Sequence, residues 1–297
     1  MSIMYLAKVN VNSKIFEVYE NEFKIKNILN EVYEKLDNSK EYEEETKVDY
    51  TDALGNESSY IRKSKYTFVE LDRDDNKKII TGKLVRNFNR RTEEIENDKT
   101  EVSYTDEAVS IYFYFDVKNE LITFNSRQAF GYNQFTNAFN ELLNKTIPGY
   151  GFEIFLQKDE DVLQEKLKSF KRINKITAVV IPPNSNTKEL EELRNGLSYI
   201  SECQDANATK YKLELSDSNE DRGLNIQAKL IRDVVKAVSS GYGDLTANGV
   251  NERDKAIMMK SNKDAAYTNI INEKISKVEY NKESEDFIER FKKSKNK

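Results

Sequence analysis

The sequence predicts an α+β protein made of two α/β-sandwich units, the first ferredoxin-like with extra antiparallel strands. Three observations carry that prediction. Apolar residues switch repeatedly between a spacing of two and a spacing of three to four, so strands and helices are interleaved along the chain. In the first half the elements run strand, helix, antiparallel strands, helix, strand, which is the ferredoxin-like order with strands added in its middle. The length of 297 residues suits about two ordinary domains.

The elements follow in order. Met4 to Val11 alternates as a first strand, and Phe23, Ile28, Leu29, Val32, Tyr33 and Leu36 recur at helical spacing. The acidic run Glu41 to Glu45 and the stretch Thr51 to Ser59 read as an exposed excursion. Two strands, Tyr66–Leu71 and Lys78–Val85, flank the turn residues Asp72 to Asn76, and the polar segment Asn89 to Glu101 is expected to be a loop. Val109–Phe115 and Leu121–Phe124 form a hairpin around Asp116 to Glu120. A helix with Phe135, Ala138, Phe139, Leu142 and Leu143 on one face stops at Pro148-Gly149, and Phe152–Leu156 closes the half as a strand.

In the second half Asp159 caps a helix bearing Leu163 and Leu167, and Ile176–Ile181 is a buried strand ended by Pro182-Pro183. Asn186 and Glu189 start a helix striped with Leu190, Leu193, Leu197 and Ile200. A strand follows at Thr209 to Leu215. The next helix, Leu224 to Val238, ends at Ser239-Ser240-Gly241, and strands are expected within Gly243 to Lys260 and Ala266 to Ile271. The resulting division is a first unit over 1–157, a second over 158–273, and a charged flexible tail over 274–297.

Composition excludes more than it suggests. There is no histidine, which removes Ser-His-Asp and Cys-His nucleophile systems and histidine metal sites. The single cysteine, Cys203, removes an internal disulfide and cysteine zinc fingers, and with no base beside it the thiol reads as inert. Charged residues are 33% of the chain, yet 17 Tyr and 15 Phe are too many rings for a disordered polymer. No apolar run approaches the ~20 residues needed to cross a bilayer, and Met1 to Leu6 lacks a signal-peptide layout, so a soluble cytoplasmic protein is expected. The net charge of −5 argues against a dedicated nucleic-acid binder, although 47 basic residues leave room for a local patch.

Acid-residue metal sites, lysine chemistry and hydroxyl chemistry remain. Asp106, Asp116 and Lys118 imitate the acid and D-x-K trio with which nucleases hold Mg²⁺ and steady the attacking water. Asp116 to Glu120 is also where a hairpin turn must be, and Asp, Lys and Asn are ordinary turn residues. The glycine-rich Ser239 to Asp244 follows a helix where a phosphate-cradling loop would precede one, so it reads as a cap. The basic faces are the stronger candidates. Lys229, Arg232 and Lys236 fall at i, i+3 and i+7, while Lys166, Lys168, Lys171, Arg172 and Lys175 crowd the end of the helix expected over 159–172. Such clusters can bind phosphates, or simply complement a helix dipole. The leucine stripe reads as core, with a dimer seam as the alternative. Of Tyr112 to Phe115, one face is core and the other could stack on bases or be covered by another element.

The run Ala108 to Phe115, then Leu121 to Phe124, then Ala129-Phe130-Gly131 and a helix ending Leu142-Leu143-Asn144-Lys145, resembles the middle of the RexA-like exclusion proteins of phage lambda. Ile176 to Pro182 is similar to their later apolar strand. The resemblance covers most of the chain by arrangement, with sparse residue identity and no diagnostic motif. It implies a non-enzymatic antiphage defence protein in abortive infection or superinfection exclusion. Such a protein binds nucleic acid with little sequence preference, DNA in preference to RNA. It self-associates as a homo-oligomer and acts through a partner membrane protein encoded nearby. No cofactor and no metal are implied, and there is no catalytic motif to carry over. The Pro182-Pro183-Asn184 step departs from the family by lacking the basic residues that follow its strand. A Mg²⁺ nuclease of a defence system and a structural protein-binding module are the alternatives.

Overall fold

The computed structural model describes every residue except 21–22, 52–54, 97–98, 185–195, 219–221 and 296–297. The first unit opens with β1 (Ser2–Val11), α1 (Ile15–Glu20) and α2 (Phe23–Lys35). Four long strands follow: β2 (Glu41–Thr51), β3 (Glu57–Asp74), β4 (Ile79–Glu96) and β5 (Lys99–Asp116). A single 3₁₀ turn then leads to β6 (Leu121–Asn125), α3 (Tyr132–Thr146) and β7 (Phe152–Leu156). The second unit holds α4 (Glu160–Lys168), β8 (Arg172–Val180), α5 (Ser198–Asp205), β9 (Tyr211–Ser216), α6 (Lys229–Ser239), β10 (Gly243–Val250) and β11 (Ala256–Lys260). The chain continues through α7 (Ser261–Asp264), β12 (Thr268–Ile271) and α8 (Lys277–Lys295).

The molecule is α+β, and the first unit carries the predicted ferredoxin-like strand order. β7, β1, β6 and β5 lie side by side, each antiparallel to its neighbour, so β1 and β5 run the same way around β6. β2, β3 and β4 are inserted between α2 and β5 and widen the sheet on that side. The second sheet runs β11-β10-β8-β9, and its helices α4, α5 and α6 share one apolar cluster with it.

Several expectations change. The segment Asn89 to Glu101, expected as a loop, belongs to the β4–β5 hairpin, paired in register from Ile79↔Asp116 to Glu96↔Lys99. The acidic run from Glu41 and the residues from Glu57 likewise form the β2–β3 hairpin. Their polarity reflects exposure, because β3 and β4 stop pairing at Ser64↔Phe88 while each hairpin continues beyond it as a separate arm. Solvated antiparallel arms need no apolar alternation, which is the signal a sequence reading depends on.

The largest correction concerns the C-terminal third. β12 leaves the second unit and pairs with β1 of the first, Ser2 opposite Ile271. Residues 277–295 are not a loose tail but a helix, whose Tyr280, Phe287, Ile288 and Phe291 are buried against Met4, Leu6, Tyr114 and Ile271. α2 and α3 cover the opposite face of that sheet through a ring-rich core in which Phe124 and Phe135 stack at 3.9 Å. Burying each such side chain contributes roughly 1.5–3 kcal/mol. Sequence periodicity missed α8 because its apolar residues are few and its charged ones many: Lys277 and Lys292 reach Asp72 and Asp116 on the sheet, and Glu285 reaches Lys77 in the β3–β4 turn.

Candidate functional site

α6 brings three predicted cations together. Ile231, Val234, Val235 and Val238 are buried, so Lys229, Arg232 and Lys236 are left on the exposed face. The helix ends in a Schellman arrangement: Tyr242 N–H donates to Ala237 O at 3.0 Å and Gly241 N–H to Val238 O at 3.2 Å. Gly241 has φ 82°, where an L side chain is strained, so Ser239 to Gly241 is the cap its sequence predicts. Lys229 Nζ is 2.6 Å from Asp233 and donates to Gly196 O, whereas Arg232 and Lys236 have no ion-pair partner among the described residues. The end of α8 extends the strip, with Lys295 Nζ donating to Ser239 O at 3.2 Å and Lys293 exposed beside it in sequence.

The other three cations form a second group where α4 hands over to β8. Lys166 is exposed, Lys171 is paired with Asp254 at 2.8 Å, and Arg172 Nε donates to Asn174 Oδ1 at 2.9 Å. The second group lies toward the start of α6. Leu224 N–H donates to Ile173 O, and α6 begins five residues later, a span of at most about 18 Å.

The nuclease trio is not assembled. Asp106 and Asp116 are ten residues apart on β5, about 33 Å of extended strand. Asp116 caps the 3₁₀ turn, accepting from Asn119 N–H at 3.1 Å, and lies 3.5 Å from Lys292; Lys118 points to solvent. Asp106 instead lines a cleft of about 600 Å³ where the two hairpins part, with Glu43, Glu44, Glu45, Lys63 and Glu107. That wall is acidic and would repel phosphate. No group of His, Cys, Asp and Glu that could hold a metal is present among the described residues. Cys203 is buried, and burial pushes its thiol pKa up, which keeps the sulfur protonated and inert. Leu197 and Ile200 belong to the second core; Leu190, Leu193 and the predicted helix start at Asn186 lie outside the described residues. Of the aromatic strand, Phe113 and Phe115 face α3, while Tyr112 and Tyr114 are covered by α8, Tyr112 lying 5.5 Å from Tyr280.

A family described as a domain of unknown function, DUF4747, matches residues 38–293. The chain belongs to the DUF4747 family. The matched span crosses the boundary expected at 157 and runs into α8, so the DUF4747 segment takes in the first unit from β2 onward, the second unit and most of the last helix. No curated protein matches it. No helix among the described residues of this DUF4747 chain is long and apolar enough to cross a membrane.

One further polar assembly escaped sequence reading. Between the units, Lys8 Nζ lies 3.3 Å from Glu120, Asn184 Nδ2 donates to the other Glu120 oxygen at 2.6 Å, and Asn10 Nδ2 donates to Gly241 O at 3.1 Å. Lys158, fully buried, reaches Asp244 at 2.9 Å, and desolvation lowers its pKa. These groups come from strands and turns far apart in sequence, so spacing carried no trace of them. They fix the two units against each other in the DUF4747 fold.

Proposed function

We propose that this DUF4747 protein is a binding protein and not an enzyme, and that it holds a nucleic-acid backbone along α6. The observation that carries this reading is the exposed strip Lys229, Arg232 and Lys236, continued by the basic end of α8 and flanked by Lys166, Lys171 and Arg172. Each phosphate it neutralises releases a counterion, so affinity falls steeply with salt and depends little on sequence. The ion pairs at Lys171 and Lys229 reduce their contribution, which makes Arg232 and Lys236 the principal contacts. In keeping with the resemblance to exclusion proteins, the proposed setting is antiphage defence in the cytoplasm. There a homo-oligomer senses phage nucleic acid, DNA in preference to RNA, and passes the signal to a membrane protein encoded nearby.

The test is retention of the purified protein on duplex DNA at ~50 mM salt and its release as salt rises. The triple variant Lys229→Ala, Arg232→Ala, Lys236→Ala should weaken binding to all sequences alike and reduce the salt slope by about three. A full-length protein that fails to bind, or a triple variant that binds as tightly as the parent, overturns the reading.

A further inference from the structure

In the first unit, β4, β5, β6 and the approach to α8 line a cavity of about 290 Å³. Its wall includes Lys83, Tyr112, Asn125, Arg127 and Lys274, against one carboxylate, Glu273. In a chain of net charge −5 that is a local excess of positive charge. The cations differ in how far they are committed. Lys83 Nζ is held by Glu70 at 2.7 Å and sits 5.2 Å from the Tyr112 ring centre, so it is already placed. Arg127 spends one N–H on Ser110 O at 3.1 Å and keeps the rest of its guanidinium fork; Lys274 is exposed, with no partner for its ammonium among the described residues.

The floor supplies an independent observation. Asn125 is 8% exposed, its Nδ2 donates to Ser2 Oγ at 3.4 Å, and its Oδ1 has no hydrogen-bond partner. A buried acceptor left unpaired carries a desolvation cost that a donor arriving in the cavity would remove. Cations at the rim and a lone acceptor at the floor select a molecule that is anionic at one end and carries an N–H or O–H at the other. The volume lies near the lower limit for small-molecule sites.

We propose that this cavity binds a nucleoside monophosphate. Arg127 and Lys274 grip the phosphate, Arg127 through its planar fork, and the base or sugar donates to Asn125 Oδ1. The site shares no residue with the α6 strip, so it stands or falls without the nucleic-acid reading.

The experiment is calorimetric titration and thermal shift of the full chain with AMP, GMP, CMP and UMP, each at up to about 5 mM, with inorganic phosphate and the matching nucleoside as controls. The expected result is saturable binding of at least one monophosphate, with phosphate alone and nucleoside alone each at least about tenfold weaker. The double variant Arg127→Ala, Lys274→Ala, whose side chains are exposed, should keep the parent's apo melting temperature and lose about tenfold or more in affinity. Asn125→Ala should weaken the monophosphate while leaving the weak phosphate binding alone. Absence of binding by all four monophosphates would mean that the cavity holds only water, and undiminished binding by the double variant would place the ligand elsewhere; either overturns the proposal. Equal affinity for bare phosphate overturns the nucleotide assignment.

Discussion

Glu120 shows how much a single side chain can hold. It sits in the left-handed region at φ 59°, ends the 3₁₀ turn, and receives both Lys8 and Asn184 in a place closed to water. Glu120→Gln keeps the shape and removes the charge, leaving Lys8 buried and unpaired. The expected loss is about 3 kcal/mol in urea unfolding, partly restored by adding Lys8→Met. Gly241→Ala should cost about 1–2 kcal/mol by the same measurement, since it forces a side chain into φ 82° and against Gln157. Tyr66 sets a pH limit. Burial pushes its phenol pKa up to about 12, so the folded state holds a proton that the unfolded chain releases near pH 10. Its contribution is complete below pH 10 and is lost as pH rises through 12. Melting temperature should therefore fall across that window, and less steeply in Tyr66→Phe.

At the level of elements, α8 separates the two readings of the last residues. A flexible tail would tolerate substitution anywhere, whereas a docked helix makes Phe287→Ala cost about 3–5 kcal/mol while Val278→Ala, at an exposed position, stays within about 0.5 kcal/mol. Chemical denaturation of the two variants decides it. What was legible in the sequence follows the same logic. Phe135, Phe139 and Leu142 at helical spacing gave α3, and Val109 to Phe115 gave the inner part of β5, because both pack against apolar partners that impose a period. β2 and the outer halves of β3, β4 and β5 impose none, since no apolar core covers them and backbone pairing, with scattered contacts such as Tyr60 against Tyr104, holds them. Lys229, Arg232 and Lys236 could be placed on one face because the buried valines between them fixed the helical phase. The Lys8–Glu120–Asn184 contact could not, because nothing local links its members.

For the molecule as a whole, the division at 157 cuts through a shared structure. The sheet of the first unit takes β12 and α8 from beyond the second, and buried polar groups lock the units together. The full chain should unfold in one calorimetric transition. A fragment of residues 1–157 would expose Met4, Leu6 and Tyr114 where α8 belongs, and is expected to aggregate instead of folding as a monomer. A soluble, monomeric 1–157 with a melting transition of its own would refute this.

The rung between Ser2 and Ile271 also decides how the protein yields to tension. Handles attached at those two residues would load an antiparallel pair from its end, so the rungs break one after another, as a zipper opens, and never all share the force. Peeling should then begin at a low force where β1 meets β12 and lift α8 from the sheet before either core is strained, which makes this junction the molecule's mechanical weak point.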